Sequence, residues 1–284
     1  MAYKVGWFST GRDEAARDLL AAIWQSIQEG DVPAELSFVF CSRGKGEDVE
    51  SDLFIKQVED YGIPLITYSF KKYRERLGSG SSGSLLNEDG SLPDWRTKYD
   101  MEVMERLKSA SGGPVSLCVL AGYMLIMSAE MCSSYPFLNL HPSAPGGPTG
   151  AWQEVIWQLI DTKAKYTGVI MHAVTSELDR GPVATYCKFP IVGGEFDSLW
   201  KEVEGFTVDE LRAKYGEELP LFKLIREHGV ARELPLIVTT VKAFAQGRVK
   251  IVDGTVVDAE GKPIQGYDLT EEIEELVALG HSAK

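Results

Sequence analysis

The chain has 284 residues, 44% hydrophobic and 25% charged, with a formal net charge of −13. These values describe an ordinary globular chain long enough to bury a sizeable core. They argue against a nucleic-acid-binding surface, which needs clustered Lys and Arg to neutralise phosphates.

No apolar run approaches the roughly 18 residues that would cross a bilayer, so no membrane partner is expected. Met1–Gly11 carries one Lys and a short apolar run and reads as a first strand rather than a targeting segment; a cytoplasmic location is expected. Cys41, Cys118, Cys132 and Cys187 are scattered without a CxxC pair, and there are only four His. No metal site is therefore expected, and the thiols should be free and mostly buried. Nothing in the pattern specifies an oligomeric state.

In chain order, Tyr3–Phe8 is a short apolar run closed by Ser9-Thr10-Gly11 and predicts a buried strand. Ala15, Leu19, Ala22, Ile23 and Ile27 fall on one side of a helix over Glu14–Gln28. Leu36–Cys41 is a second strand, Asp48–Tyr61 a second helix stopped by Gly62 and Pro64, and Leu65–Tyr68 a third strand. Gly78–Leu92, rich in Gly, Ser, Asn and Asp, is a loop, read either as a lid or as a plain surface insertion. A helix over Trp95–Lys108, strands at Val115–Leu120 and Phe137–His141, a helix over Trp152–Ile160, and strands at Gly168–Val174 and Val183–Phe189 follow. Helices are then predicted over Phe196–Tyr215, Leu219–His228 and Leu234–Ala245, with a hairpin over Lys250–Val257 turning at Asp253-Gly254 and a helical tail over Thr270–Leu279.

Alternating strands and helices define the expected fold: an α/β protein with an open, mostly parallel, doubly wound (Rossmann-like) sheet, helices on both faces and a C-terminal helical and hairpin extension. The expected organisation is a catalytic core over 1–192, a helical insertion over 193–230, and a C-terminal helix, hairpin and tail over 231–284.

The chemistry concentrates at Asn139-Leu140-His141-Pro142. Residues two apart on a strand share a face, so Asn139 and His141 project side by side while Leu140 points to the other face. Pro142 cannot continue a central strand, which puts the pair at the strand's carboxyl end, where open parallel sheets bind ligands. An amide donor beside an imidazole suits a carbonyl oxygen that becomes an oxyanion. The alternative for His141 is a capping or core histidine satisfied locally. Asp179 lies in the polar turn Val174–Pro182 between two apolar strands. It is either a solvated loop carboxylate or a group that orients His141 and helps move a proton.

Asn139-Leu140-His141-Pro142-Ser143, then Thr167-Gly168-Val169, then Thr175-Ser176-Glu177-Leu178-Asp179-Arg180-Gly181-Pro182 resemble the core of the folate-dependent formyltransferases. Val119–Met124 looks like that family's strand and turn before the site, and Arg232–Ile237 with Gly247-Arg248-Val249 its C-terminal helix and final strand. The resemblance runs from about Tyr3 to Ile251. It implies a catalytic triad of Asn139, His141 and Asp179, and 10-formyltetrahydrofolate as co-substrate. The pterin would lie against Met124, Leu125, Ile126 and Met127 and the turn carrying Val174, Thr175 and Glu177.

The resemblance also implies a small-molecule acceptor amine, phosphorylated, met by Thr10, Gly11, Arg12, Ser42, Arg43, Glu177 and Arg180. Glycinamide ribonucleotide, in purine biosynthesis, is the leading acceptor, attacked at the formyl carbon through a tetrahedral intermediate. A related transferase acting on another amine, such as an amino sugar nucleotide, and a hydrolase releasing formate from the folate are the alternatives. Ser9-Thr10-Gly11-Arg12-Asp13 departs from the family's Gly-x-Gly-Ser-Asn phosphate turn, Leu125 stands where the family has Arg, and Trp152 where it often has His. His172 matches a histidine common in the family; a local strand role and a functional one are both open.

Overall fold

The computed structural model describes residues 2–78, 86–87, 91–110, 113–177 and 180–282. Two compact units are present, Met1–Asn139 with Ala173–Gly181, and Leu140–His172 with Pro182–Lys284. Eight strands form one mostly parallel sheet, and two more form a separate hairpin.

The first unit contains β1 (Tyr3–Ser9), α1 (Glu14–Gln28), β2 (Ala34–Cys41), α2 (Val49–Asp60), β3 (Leu65–Thr67), α3 (Phe70–Arg76), α4 (Asp94–Ala110), β4 (Leu117–Leu120), α5 (Ala129–Ser134) and the start of β5 (Phe137–His141). Strand order is β5-β4-β1-β2-β3, every pair parallel. β1 is central and buried from Val5 to Ser9, and β4 is buried throughout, as parallel strands covered on both faces must be. The chain winds outward through β2 and β3, then returns to the other side of β1. The crevice between β1 and β4 is therefore the topological switch point. Backbone bonds tie its rim, from Ala121 N to Phe8 O at 2.9 Å and from Thr10 N to Gly122 O at 3.1 Å.

One sheet face packs an aromatic cluster in which Phe8 meets Phe137 edge-on with centroids 4.9 Å apart and Phe38 at 5.7 Å. α3, which carries Phe70 and Tyr73 into this cluster, was not expected from sequence; its Ser69 cap accepts from Lys72 N. Buried Arg96 pairs with buried Asp100 one turn on, and Asp100 also accepts from Ser128 N at 2.7 Å. The guanidinium lies over the rings of Tyr99 and Phe70. Most of the anticipated Gly78–Leu92 loop lies outside the described residues.

The second unit contains α6 (Trp152–Asp161), β6 (Tyr166–Ala173), β7 (Val183–Pro190), α7 (Glu195–Glu202), α8 (Val208–Tyr215), α9 (Pro220–Ala245), β8 (Val249–Val252), β9 (Thr255–Asp258), β10 (Tyr267–Asp268) and α10 (Thr270–Ser282). β6 and β7 are antiparallel, and β10 joins β7 in parallel. β8 and β9 form the expected hairpin, with Asp253 and Gly254 at φ of 48° and 74°, the left-handed pair that a two-residue hairpin turn requires.

Two helix expectations are corrected. The helix expected over Phe196–Tyr215 is two, α7 and α8, because Thr207 and Glu210 form a capping box that starts a new helix. The helices expected over Leu219–His228 and Leu234–Ala245 are one, α9, which also runs across the expected 230/231 boundary. Gly229 and Pro235 disfavour a helix interior by about 1 and 3 kcal/mol. Burial of Ile225, Arg232, Leu236, Ile237, Val241 and Phe244 along the same helix outweighs them. Arg232 lies over the Phe189 ring at 4.3 Å and forks onto Glu274 of α10 at 2.6 and 2.8 Å, which fixes the tail helix anticipated from sequence.

Candidate functional site

In the first unit, Thr10, Gly11, Arg12, Ser42 and Arg43 of the residues expected to meet substrate lie at the carboxyl ends of β1 and β2, whereas Glu177 and Arg180 lie in the turn after β6. Thr10, Ser42, Arg43 and Leu125 line one cavity of about 390 Å³, together with Glu47, Asp48, Phe70 and Lys71. The Ser42 hydroxyl donates to Thr10 Oγ1 at 3.1 Å, and Met124 N donates to the same oxygen at 3.0 Å. Thr10 thus ties the β1 end to the turn expected to carry the pterin. Arg43 pairs with Asp48 at 3.2 Å, and Asp48 caps α2 by accepting from Glu50 N at 3.0 Å.

Gly11 has a φ of 59°, and a Cβ there would lie 2.9 Å from the Phe54 ring, so both backbone and space require glycine. Beyond it Asp13 caps α1, accepting from Ala16 N at 3.1 Å, and holds Arg12 at 3.0 Å. The helix end where Arg12 was expected to help hold a phosphate thus already carries a carboxylate, and half of the Arg12 side chain is exposed.

Of the residues expected to hold the folate, Met124 is exposed and Met127 buried, while Leu125 and Val174 pack on the aromatic cluster. Val174 N donates to Phe137 O at 2.9 Å, fixing the start of the 174–177 turn. Within that turn Thr175 Oγ1 donates to Glu177 O at 3.1 Å and lies 3.3 Å from Glu177 N, leaving the turn locally bonded. Arg180 is exposed, and its N–H reaches Glu177 O at 3.3 Å. A Cβ on Gly181 would sit 1.7 Å from Ala173 O, so the two ends of this turn close only with glycine. Asp179 itself lies outside the described residues.

Asn139 is partly buried on β5, its Cα paired with Leu120 of β4. In the second unit His141, at the end of the same strand, is buried. Its Nε2 lies 3.2 Å from Pro148 O, and its ring meets that of buried His172 edge-on with centroids 6.4 Å apart.

Glu47, Phe70 and Lys71 escaped sequence reasoning. Glu47 directly precedes the α2 cap and reads as ordinary helix-start acidity, and α3, which carries the other two, had no visible periodicity. Among the described residues, no group of three or more His, Cys, Asp or Glu is arranged to hold a metal. No helix among them is long and apolar enough to cross a membrane.

A doubly wound sheet with a cavity at the carboxyl ends of its strands is the layout of an α/β protein that binds small ligands at that edge. The chain belongs to the formyl transferase family, whose model matches residues 14–198. It is 29% identical over 185 residues to phosphoribosylglycinamide formyltransferase of Escherichia coli K12, covering 63% of this chain and 71% of that protein. The solved phosphoribosylglycinamide formyltransferase of Coxiella burnetii superposes with a TM-score of 0.63 at 20% identity, over 94% of this chain and 99% of that one. A formyltetrahydrofolate deformylase of Pseudomonas syringae gives 0.57 at 17%, over 91% of this chain and 66% of that one. At these identities the solved structures speak for the fold alone.

Proposed function

We propose that this protein transfers a formyl group from 10-formyltetrahydrofolate to the amine of glycinamide ribonucleotide. The observation that carries the reading is β5, which ends on Asn139 and on a buried His141 whose Nε2 is held at the Pro148 carbonyl. The folate fits the apolar wall of Met124, Leu125 and Val174 beside the aromatic cluster. When bound, it supplies the activated formyl carbon.

The chain's own groups do the rest. The Asn139 amide and protonated His141 donate to the formyl oxygen as negative charge develops on it. Asp179 supports the imidazolium and receives the proton that the attacking amine sheds, for delivery to the departing nitrogen. Incubation with 10-formyltetrahydrofolate and glycinamide ribonucleotide, following deformylation with and without the amine, tests the reading. Folate turnover that ignores the amine would mean a hydrolase.

A second acceptor is favoured by one observation. Asp13 already occupies the α1 N-terminus and neutralises Arg12, so a phosphate gains little there. Turnover with an amino sugar nucleotide but not with glycinamide ribonucleotide would select that reading.

A further inference from the structure

The cavity in the first unit contains a carboxylate that the fold satisfies only in part. The Glu47 side chain is 7% exposed, and neither of its carboxylate oxygens accepts a hydrogen bond among the described residues. Its nearest cation is the exposed ammonium of Lys72, 3.4 Å away. The carboxylate lies close over Gly44, where a Cβ would stand 2.9 Å from Oε1, so glycine there leaves it room. A buried carboxylate met by one exposed ammonium and by no hydrogen bond is costly, and a ligand that donates to it would offset that cost.

The chemistry around Glu47 defines what would complete it. A carboxylate only accepts, with about four lone-pair sites on two oxygens, so the ligand must donate there. Adjacent hydroxyls of a sugar match two oxygens of one carboxylate. The same cavity presents Lys71, whose ammonium makes no ion pair among the described residues, and Arg43, already engaged by Asp48. Donors for Glu47 and an anion for Lys71 belong together in a sugar phosphate, and about 390 Å³ accommodates one.

We infer that Glu47 is a specificity-determining residue: it accepts hydrogen bonds from the hydroxyls of a phosphorylated sugar borne by the acceptor amine, while Lys71 meets the phosphate. The inference rests on the reading of this chain as an amine-acceptor formyltransferase, and it moves the acceptor's anion from the α1 terminus to the cavity flanked by α2 and α3.

The test uses the full chain, calorimetric titration with ribose 5-phosphate and with inorganic phosphate, and the variants Glu47→Gln and Glu47→Ala. Ribose 5-phosphate should bind the wild type and bind Glu47→Gln about 10- to 100-fold more weakly, since hydrogen bonds to a charged acceptor are the ones lost. Inorganic phosphate should bind both alike. Because Glu47→Gln removes a buried carboxylate that accepts no hydrogen bond among the described residues, its thermal midpoint without ligand should equal or exceed that of the wild type. A lower midpoint would make the carboxylate structural and overturn the inference, as would equal sugar-phosphate affinity or no binding by the wild type. Glu47→Ala should repeat the affinity loss if folded; an affinity equal to wild type would likewise overturn it. Formyl transfer by the wild type with sugar-phosphate affinity indifferent to Glu47 would sink this inference alone. Glu47-dependent sugar-phosphate binding without any formyl transfer would instead sink the functional reading.

Discussion

The Nε2 atom of His141 lies 3.2 Å from the carbonyl oxygen of Pro148. A carbonyl only accepts, so Nε2 carries the proton in this contact, and the loop after β5 sets the orientation of the ring. Replacing His141 with Ala should lower turnover at least about 100-fold, the lower range for a positioned acid/base group, with an unchanged far-ultraviolet spectrum. Near-normal turnover in that variant would end the oxyanion role.

Asp179→Asn keeps shape and removes the basic oxygen. Turnover should fall by about 10²–10⁴-fold with little change in KM for either substrate. A variant that loses only affinity would reassign Asp179 to binding.

Gly181 closes the turn that carries Asp179, and a Cβ there would overlap the Ala173 carbonyl at 1.7 Å. No rotamer relieves a clash with backbone, so Gly181→Ala must part the two ends of the turn, at about 1–3 kcal/mol or more. Activity should drop by an order of magnitude or more while the rest of the protein melts as one folded species. Full activity would show that the turn tolerates displacement.

Arg232 is buried and forks onto Glu274. Glu274→Ala strands the guanidinium over Phe189, and because Glu274 is itself partly exposed the expected cost is about 2 kcal/mol, below that of a fully buried pair. Chemical denaturation reads this directly, and the double variant Arg232→Met/Glu274→Leu should recover most of the loss. A stable single variant would mean that solvent already satisfies Arg232.

Burial, and then the neighbouring Arg232, hold the His228 pKa below its usual 6.5. The unfolded chain therefore binds the proton more readily, and stability from this site, full above about pH 6.5, declines as pH falls below that value. His228→Gln should flatten the decline of the melting midpoint between about pH 6.5 and 5. An identical slope in wild type and variant would remove His228 as its cause.

Local pattern was enough for much of this protein. Apolar runs closed by Gly or Pro marked the parallel strands, and Pro142 marked the end of β5 at His141, because a proline cannot continue a central strand. Asp253-Gly254 specified a hairpin for the same kind of reason. What packing alone decided is longer in range. α9 continues through Gly229 and Pro235 because burial along it outweighs local propensity, which a reading of neighbours along the chain weighs too heavily. The bond between His141 and Pro148 spans seven positions of irregular loop, and no periodicity encodes it. Glu47 was invisible as a site residue because a carboxylate before a helix cap looks ordinary in sequence, and only the fold shows it buried, with no hydrogen bond among the described residues, in the cavity that Thr10, Ser42 and Leu125 share.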